Sequence, residues 1–145
     1  MINIICSGKI KENYLVDLID DYKKRISKYH KINIIEIKDE NDLEIEANNI
    51  LKNINPKDYV VALAINGDVM DSVEFAKFID ETFIATGTID FVIGSSDGLS
   101  NRIYERANKK ISFSKFTMPH GLFRGVLLEQ IYRAFKINNN EKYHK

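Results

Sequence analysis

One stretch of this chain is apolar at consecutive positions rather than alternate ones, and a second is so but for Asp90. Residues 59–65 contain Val60, Val61, Ala62, Leu63 and Ala64 in unbroken order, and residues 89–93 contain Ile89, Phe91, Val92 and Ile93. Side chains along a strand point to opposite faces in turn. A strand that is apolar throughout must therefore be covered on both faces, which is the situation of parallel sheets flanked by helices. Residues 2–6 (Ile2, Ile4, Ile5, Cys6) read as a third buried strand, ended by Ser7 and Gly8. Ile32, Ile34, Ile35 and Ile37 mark a fourth, and residues 110–114 a fifth, short one.

Helical periodicity fills the intervals. Leu15, Leu18, Ile19, Tyr22 and Ile26 share one face of a helix over residues 11–28. A short polar helix is expected over 41–54, with Asn41 as N-cap, Glu44 three residues on, and Pro56 closing it. Asp71 and Glu74 form the pattern of a capping box before Phe75, Phe78, Ile79 and Phe83. Another helix is expected over about 99–107. The last starts near Pro119 and buries Leu122, Phe123, Val126, Leu127, Ile131, Ala134 and Phe135. Asn66, Gly67 and Asp68 read as a turn. Strands alternating with helices give an α/β fold with a mainly parallel sheet and helices on both faces. No linker, repeat or low-complexity tract divides residues 1–145, so one domain is expected.

A single cysteine, Cys6, excludes an internal disulfide and reads as a small core residue. No apolar run approaches the ~20 residues of a spanning helix, and no leader pattern opens the chain. A soluble, cytoplasmic protein is expected. The formal net charge of zero hides an asymmetry: residues 1–100 carry −7 and residues 101–145 carry +7. A basic C-terminal third can meet a polyanion such as RNA.

Ligands of open parallel sheets bind beyond the carboxyl ends of the strands. Three loops leave such ends: residues 63–68, 94–98 and 113–118. Gly94 and Gly98 allow close backbone approach to a ligand, and the N–H groups of such loops can bind an adenosine-type ligand without charged side chains. The 94–98 loop is neither the dinucleotide fingerprint nor a Walker loop. His30, His120 and His144 are scattered and no zinc spacing is present, so no metal is expected. Arg124 and Arg133 read by default as surface charges with the capacity for a phosphate contact. Glu129, among apolar neighbours, calls for a salt-bridge partner. The terminal Tyr143, His144 and Lys145 would fray if nothing held them; they suit stacking on a base and holding a phosphate.

Taken together, these residues resemble the RlmH family of small SPOUT-class methyltransferases over essentially the whole chain. The resemblance rests on Ile2–Lys9 with Tyr22-Lys23-Lys24-Arg25, on Val60–Gly67, and on Ile93-Gly94-Ser95-Ser96-Asp97-Gly98-Leu99. Its most specific part is Phe113-Ser114-Lys115-Phe116-Thr117-Met118-Pro119-His120, then Leu128-Glu129-Gln130-Ile131-Tyr132-Arg133-Ala134-Phe135-Lys136-Ile137, and the ending Tyr143-His144-Lys145. The chain departs from the family pattern at Ser95, where a second glycine is usual, at Asp68, where a lysine is common, and in a shortened 40–53 region.

The resemblance implies a SPOUT-type fold with a C-terminal trefoil knot, an exception to the usual connection rules. It implies a homodimer that uses S-adenosyl-L-methionine to methylate N3 of a pseudouridine in 23S rRNA of the assembled ribosome. Carried over by position, cofactor contacts fall on Leu63, Gly94, Phe113, Ser114, Lys115, Phe116, Thr117 and Met118, and Tyr143 and His144 lie near the acceptor base. The imide proton of the acceptor must be lost before its nitrogen attacks. His144, His120 and Glu129 are candidate bases, with Arg133 or Lys145 as electrostatic helpers; the sequence does not choose among them.

Overall fold

The computed structural model describes residues 1–145. Five strands, β1 (Ile2–Ser7), β2 (Ile32–Ile37), β3 (Tyr59–Val69), β4 (Ile89–Ile93) and β5 (Lys109–Ser112), form one sheet in the order β2-β1-β4-β3-β5. Every pairing is parallel. The expected alternation holds: α1 (Asn13–Ser27), α2 (Leu43–Leu51), α3 (Ser72–Ala85), α4 (Asn101–Arg106) and α5 (His120–Asn138) occupy the connections and the C-terminus.

The strands that are apolar on both faces are covered on both. Ile4, Val61, Phe91 and Ile111 pack beneath α1, α3 and α5 through Ile19, Ile26, Phe75, Ile79, Leu127 and Ile131. Ile5, Val60, Ala62 and Val92 face the other way, against Ala47 and Ile50 of α2 and Ile103 of α4. Cys6 is fully buried, and burial pushes its thiol up to about 11.

Several boundaries differ from the sequence reading, each for a local reason. The N-cap of α2 is Asp42, not Asn41: its carboxylate accepts the N–H groups of Glu44 and Ile45 at 2.8 and 3.4 Å. Glu44 is then free to accept from the Ser100 hydroxyl at 2.6 Å. The Asp71–Glu74 capping box forms as expected and contributes about 1 kcal/mol. Residues 66–68 are not a simple turn. Strand β3 runs through them to Val69, and Ile111 of β5 pairs with both Leu63 and Asp68 across a register shift. In α5, Leu122 is exposed and Val126 only half-buried, while Gly125, Leu128 and Tyr132 are buried.

Arg124 is the main correction to the sequence reading. It is 1% exposed, not a surface charge. Its guanidinium donates to Glu36 at 2.8 Å and to the carbonyls of Ser7 and Gly8 at 3.5 and 3.2 Å. A helical arginine that reads as solvated by default is thus the tie between α5 and the ends of β1 and β2.

At the opposite end of the sheet, a polar row crosses three strands. Asn33 donates to Asn3 at 3.1 Å, and Asn3 donates to Asp90 at 2.8 Å. The second oxygen of Asp90 has no partner. Burial, together with the Asp58 carboxyl beside it, pushes Asp90 from 3.8 to about 7. The folded chain therefore holds this proton more tightly than the unfolded chain, and stability falls as pH rises through that window. Asp90→Asn keeps the bond from Asn3 and cannot ionise. It should be more stable than the parent at pH 7.5, by on the order of 1–2 kcal/mol. Its urea-unfolding free energy should also vary less between about pH 4 and 7. An unchanged pH profile would remove Asp90 as the source.

Candidate active site

The carboxyl ends of β3, β4 and β5 open into one cavity of about 700 Å³, within the ~300–1,000 Å³ range of small-molecule sites. Its apolar wall comes from Leu63 and Ile65 of β3, Ile93 of β4, Leu99, Ile111 of β5, and Phe123 of α5. Its peptide-rich rim is made by residues 94–98 and 112–119.

The first rim segment is a tight turn. The Gly98 N–H donates to the Ser95 carbonyl at 2.9 Å, and Gly98 has φ +85°. A Cβ on Gly94 would lie 2.5 Å from the Gly98 carbonyl oxygen, so only glycine permits this closure. Ser95 does not have positive φ, so the serine that replaces the family's usual second glycine sits there without backbone strain.

The second segment braces itself. The Ser112 hydroxyl donates to the Ser114 carbonyl at 3.1 Å, and the Ser114 hydroxyl accepts the Phe116 N–H at 2.9 Å. Phe113 is wedged edge-on against Phe75 and Phe123, each at 5.4 Å between ring centres. Phe116, by contrast, is 84% exposed at the mouth. Asp68 is paired with Lys109 at 3.3 Å, which accommodates that departure on the β3–β5 edge.

Of the residues singled out in the sequence, Leu63, Gly94, Phe113, Ser114, Phe116, Thr117, Met118 and His120 line this cavity, and Lys115 does not. Tyr104 lines it too and carried no sequence signal. It stands on α4, with the Lys110 ammonium 4.9 Å over its ring. No group of three or more His, Cys, Asp or Glu side chains is placed to hold a metal ion.

Glu129, Arg133, Tyr143 and His144 form a separate cluster. The Arg133 guanidinium donates twice to Glu129, at 2.6 and 3.1 Å. The Tyr143 hydroxyl donates to the same oxygen at 3.0 Å. Its ring lies under the Arg133 guanidinium at 4.8 Å and edge-on to Tyr132 at 4.9 Å. Burial, then the Tyr22 and Glu129 contacts, raise the Tyr143 phenol well above its usual range, so it remains a donor. Arg133 lies 3.1 Å from Nδ1 of His144. Arginine can only donate, so in a neutral ring Nδ1 accepts and Nε2 carries the hydrogen. The tail thus does not fray: it is folded onto α5.

A parallel sheet with a glycine-braced cavity over its carboxyl ends places the chain among the open α/β folds, whose ligands bind at that end of the sheet. The model described as predicted SPOUT methyltransferase matches residues 1–144. Ribosomal RNA large subunit methyltransferase H of Clostridium acetobutylicum is 46% identical, with 99% of each chain covered. The protein of the same name from Bifidobacterium animalis subsp. lactis is also 46% identical over 99% of each chain. The chain belongs to the SPOUT methyltransferase family. Solved structures agree on the fold. A probable methylase family protein of Haemophilus influenzae superposes with a TM-score of 0.60 at 16% identity, covering 99% of this chain and 70% of that one. The TrmH/SpoU tRNA-modifying enzyme of A. aeolicus gives 0.51 at 16%, covering 95% and 77%.

Gly94→Ala tests the rim. The added methyl meets backbone rather than a flexible side chain, so the turn itself must shift. S-adenosyl-L-methionine affinity should fall at least about tenfold by calorimetry, with a much smaller relative loss of thermal stability. Unchanged affinity would show that the turn does not touch the ligand.

Proposed function

We propose that the protein transfers a methyl group from S-adenosyl-L-methionine to large-subunit ribosomal RNA, and specifically to N3 of a pseudouridine in 23S rRNA of the assembled ribosome. The observation that carries this reading is the cavity, whose apolar wall and rim of peptide groups suit an adenosine and an amino-acid chain. The names of relatives 46% identical over 99% of the chain support the RNA substrate. The cytoplasm, where ribosomes are assembled in cells without a nucleus, goes with this reading. So does the trefoil knot implied by the resemblance.

When bound, the cofactor supplies an electrophilic methyl on a sulfonium, so no metal is required. Acceleration then comes mainly from alignment of donor and acceptor. Leu63, Gly94 and the 113–118 segment would hold the donor. The acceptor requires loss of its imide proton. His144 is the proposed base: its one basic nitrogen is Nδ1, which accepts from Arg133 in the resting fold, so Arg133 must turn wholly to Glu129 before Nδ1 takes the imide proton. Tyr143, edge-on to Tyr132, would present its ring to the base. His120, at the cavity, is the alternative proton acceptor.

Geometry argues for a dimer in this reading. His120 begins α5 and Arg133 lies 13 residues along it, roughly 20 Å at helical rise. One chain does not bring its own tail cluster to its own cavity, so a second subunit's tail would serve it.

The test is methyl transfer from labelled S-adenosyl-L-methionine to ribosomes lacking the modification, with the product nucleoside identified by mass spectrometry. Label on N3 of one pseudouridine establishes the reading. Donor binding without transfer would leave the cofactor and overturn the substrate. His144→Ala should lower turnover about a hundredfold and leave donor affinity within about twofold. Equal losses in both would move the base elsewhere, with His120→Ala the next variant.

A further inference from the structure

Glu46 is 1% exposed on the inner face of α2, and neither of its carboxylate oxygens makes a hydrogen bond. Two hydroxyls are buried and unpartnered as well: that of Ser7, at the end of β1, and that of Ser95, in the turn after β4. The Glu46 carboxyl faces the Ser7 hydroxyl and the Ser95 backbone N–H. The Glu46 carboxyl thus sits at the sheet end beside Ser7 and the backbone of Ser95, both of which carry an unpartnered buried hydroxyl. No cation pairs with them; the charged side chains acting on Glu46 are those of Asp39 and Asp97, both acidic.

The donor and acceptor inventory is complementary. A carboxylate accepts several hydrogen bonds and donates none. The Ser7 and Ser95 hydroxyls are two buried donors with no acceptor in hydrogen-bond range. A purely structural cluster would have these bonds made, since buried polar groups are nearly always paired. Here the two hydroxyls are open, and Ser95 belongs to the turn that lines the cavity.

We propose that Glu46 is a positioning residue for the methyl-donor site, the acceptor onto which Ser95 and Ser7 close when the cavity fills, fixing the 94–98 turn against the ligand. This rests on the reading of the cavity as the donor site. It also accounts for Ser95, whose hydroxyl departs from the family pattern and here becomes a second handle on the turn. Glu46 touches neither donor nor acceptor and acts through Ser95.

The test uses the full chain and S-adenosyl-L-methionine as the probe, by calorimetry and by transfer kinetics with the donor varied. Glu46→Gln keeps the shape and removes one acceptor oxygen and the charge. It should raise the donor Kd and KM about tenfold and leave kcat at saturating donor within about twofold. Ser95→Ala should weaken binding by about threefold. The double variant should bind no worse than Glu46→Gln alone, because both changes cut the same contact. Should Glu46→Gln fail to fold, Ser95→Ala still decides, since unchanged affinity in that variant overturns the proposal. Parent-like Kd and KM in Glu46→Gln overturn it too, as do additive losses that track melting temperature. If the parent chain itself fails to bind S-adenosyl-L-methionine, the donor-site reading falls and this proposal with it; a parent that binds beside a Glu46→Gln variant that binds equally well sinks the proposal alone.

Discussion

The pairing of β3 with β5 is the constraint on which the site depends. Ile111 of β5 is paired twice, with Leu63 and again with Asp68, so the four residues between them bow out of the ladder. Gly67 returns so closely that a Cβ there would lie 2.7 Å from the Ile111 backbone. An uninterrupted ladder would seal the edge of the sheet with hydrogen bonds. The bow instead places Ala64, Ile65 and Asn66 beside the cavity. The cavity's other walls then follow from where β4 and β5 end and from the return of the chain into α5.

Arg124 sets the second relation. It anchors the first half of α5 to the carbonyls that end β1 and to Glu36 of β2. A buried guanidinium is tolerated only with such partners, and here they fix how α5 lies over the sheet. The same pairing reduces the charge asymmetry seen in the sequence. Of the ten Lys and Arg after residue 100, Arg102, Lys109, Arg124, Arg133 and Lys136 pair with acids, three of which lie in the first 100 residues. Arg106 is spent on Asn108 and the carbonyls of Asn55 and Asp58, so Lys110, Lys115, Lys142 and Lys145 are the cations left for a phosphate backbone. An RNA contact built on so few charges should rely more on shape and on the splayed base than on counterion release.

The layered fold was legible because the unbroken apolar run at 60–65 calls for cover on both faces, and strands alternate with helices along the chain. The three ligand loops were legible because strand ends are marked by glycine and polar residues. What the sequence hid was pairwise. Asp42 and Asn41 are both good caps, and only the actual backbone geometry chooses between them. Arg124 and Leu122 exchanged their expected environments because the periodicity of an amphipathic helix places a stripe but does not say which polar residue finds a buried partner. Glu46 was invisible for the same reason: in a thin polar helix one glutamate looks like another, and its partners Ser7 and Ser95 lie 39 and 49 residues away in the chain.

Helix α5 joins these elements and also separates them. Its first residue, His120, lies at the cavity, and its C-terminal half carries Glu129, Arg133 and the folded tail. Within one chain the donor cavity and the tail cluster stand at different stations along a rigid rod. A rod cannot bring its two ends together, however stable its packing. Were His144 the base, as proposed, transfer within one chain would need the tail to leave Tyr132 and Glu129, breaking the Tyr143 hydrogen bond and its ring contacts. Delivery of a tail by a second copy needs no such loss, since each tail stays seated on its own α5. On the proposed reading, which takes His144 to the acceptor, the ordered tail favours an active site shared between two copies.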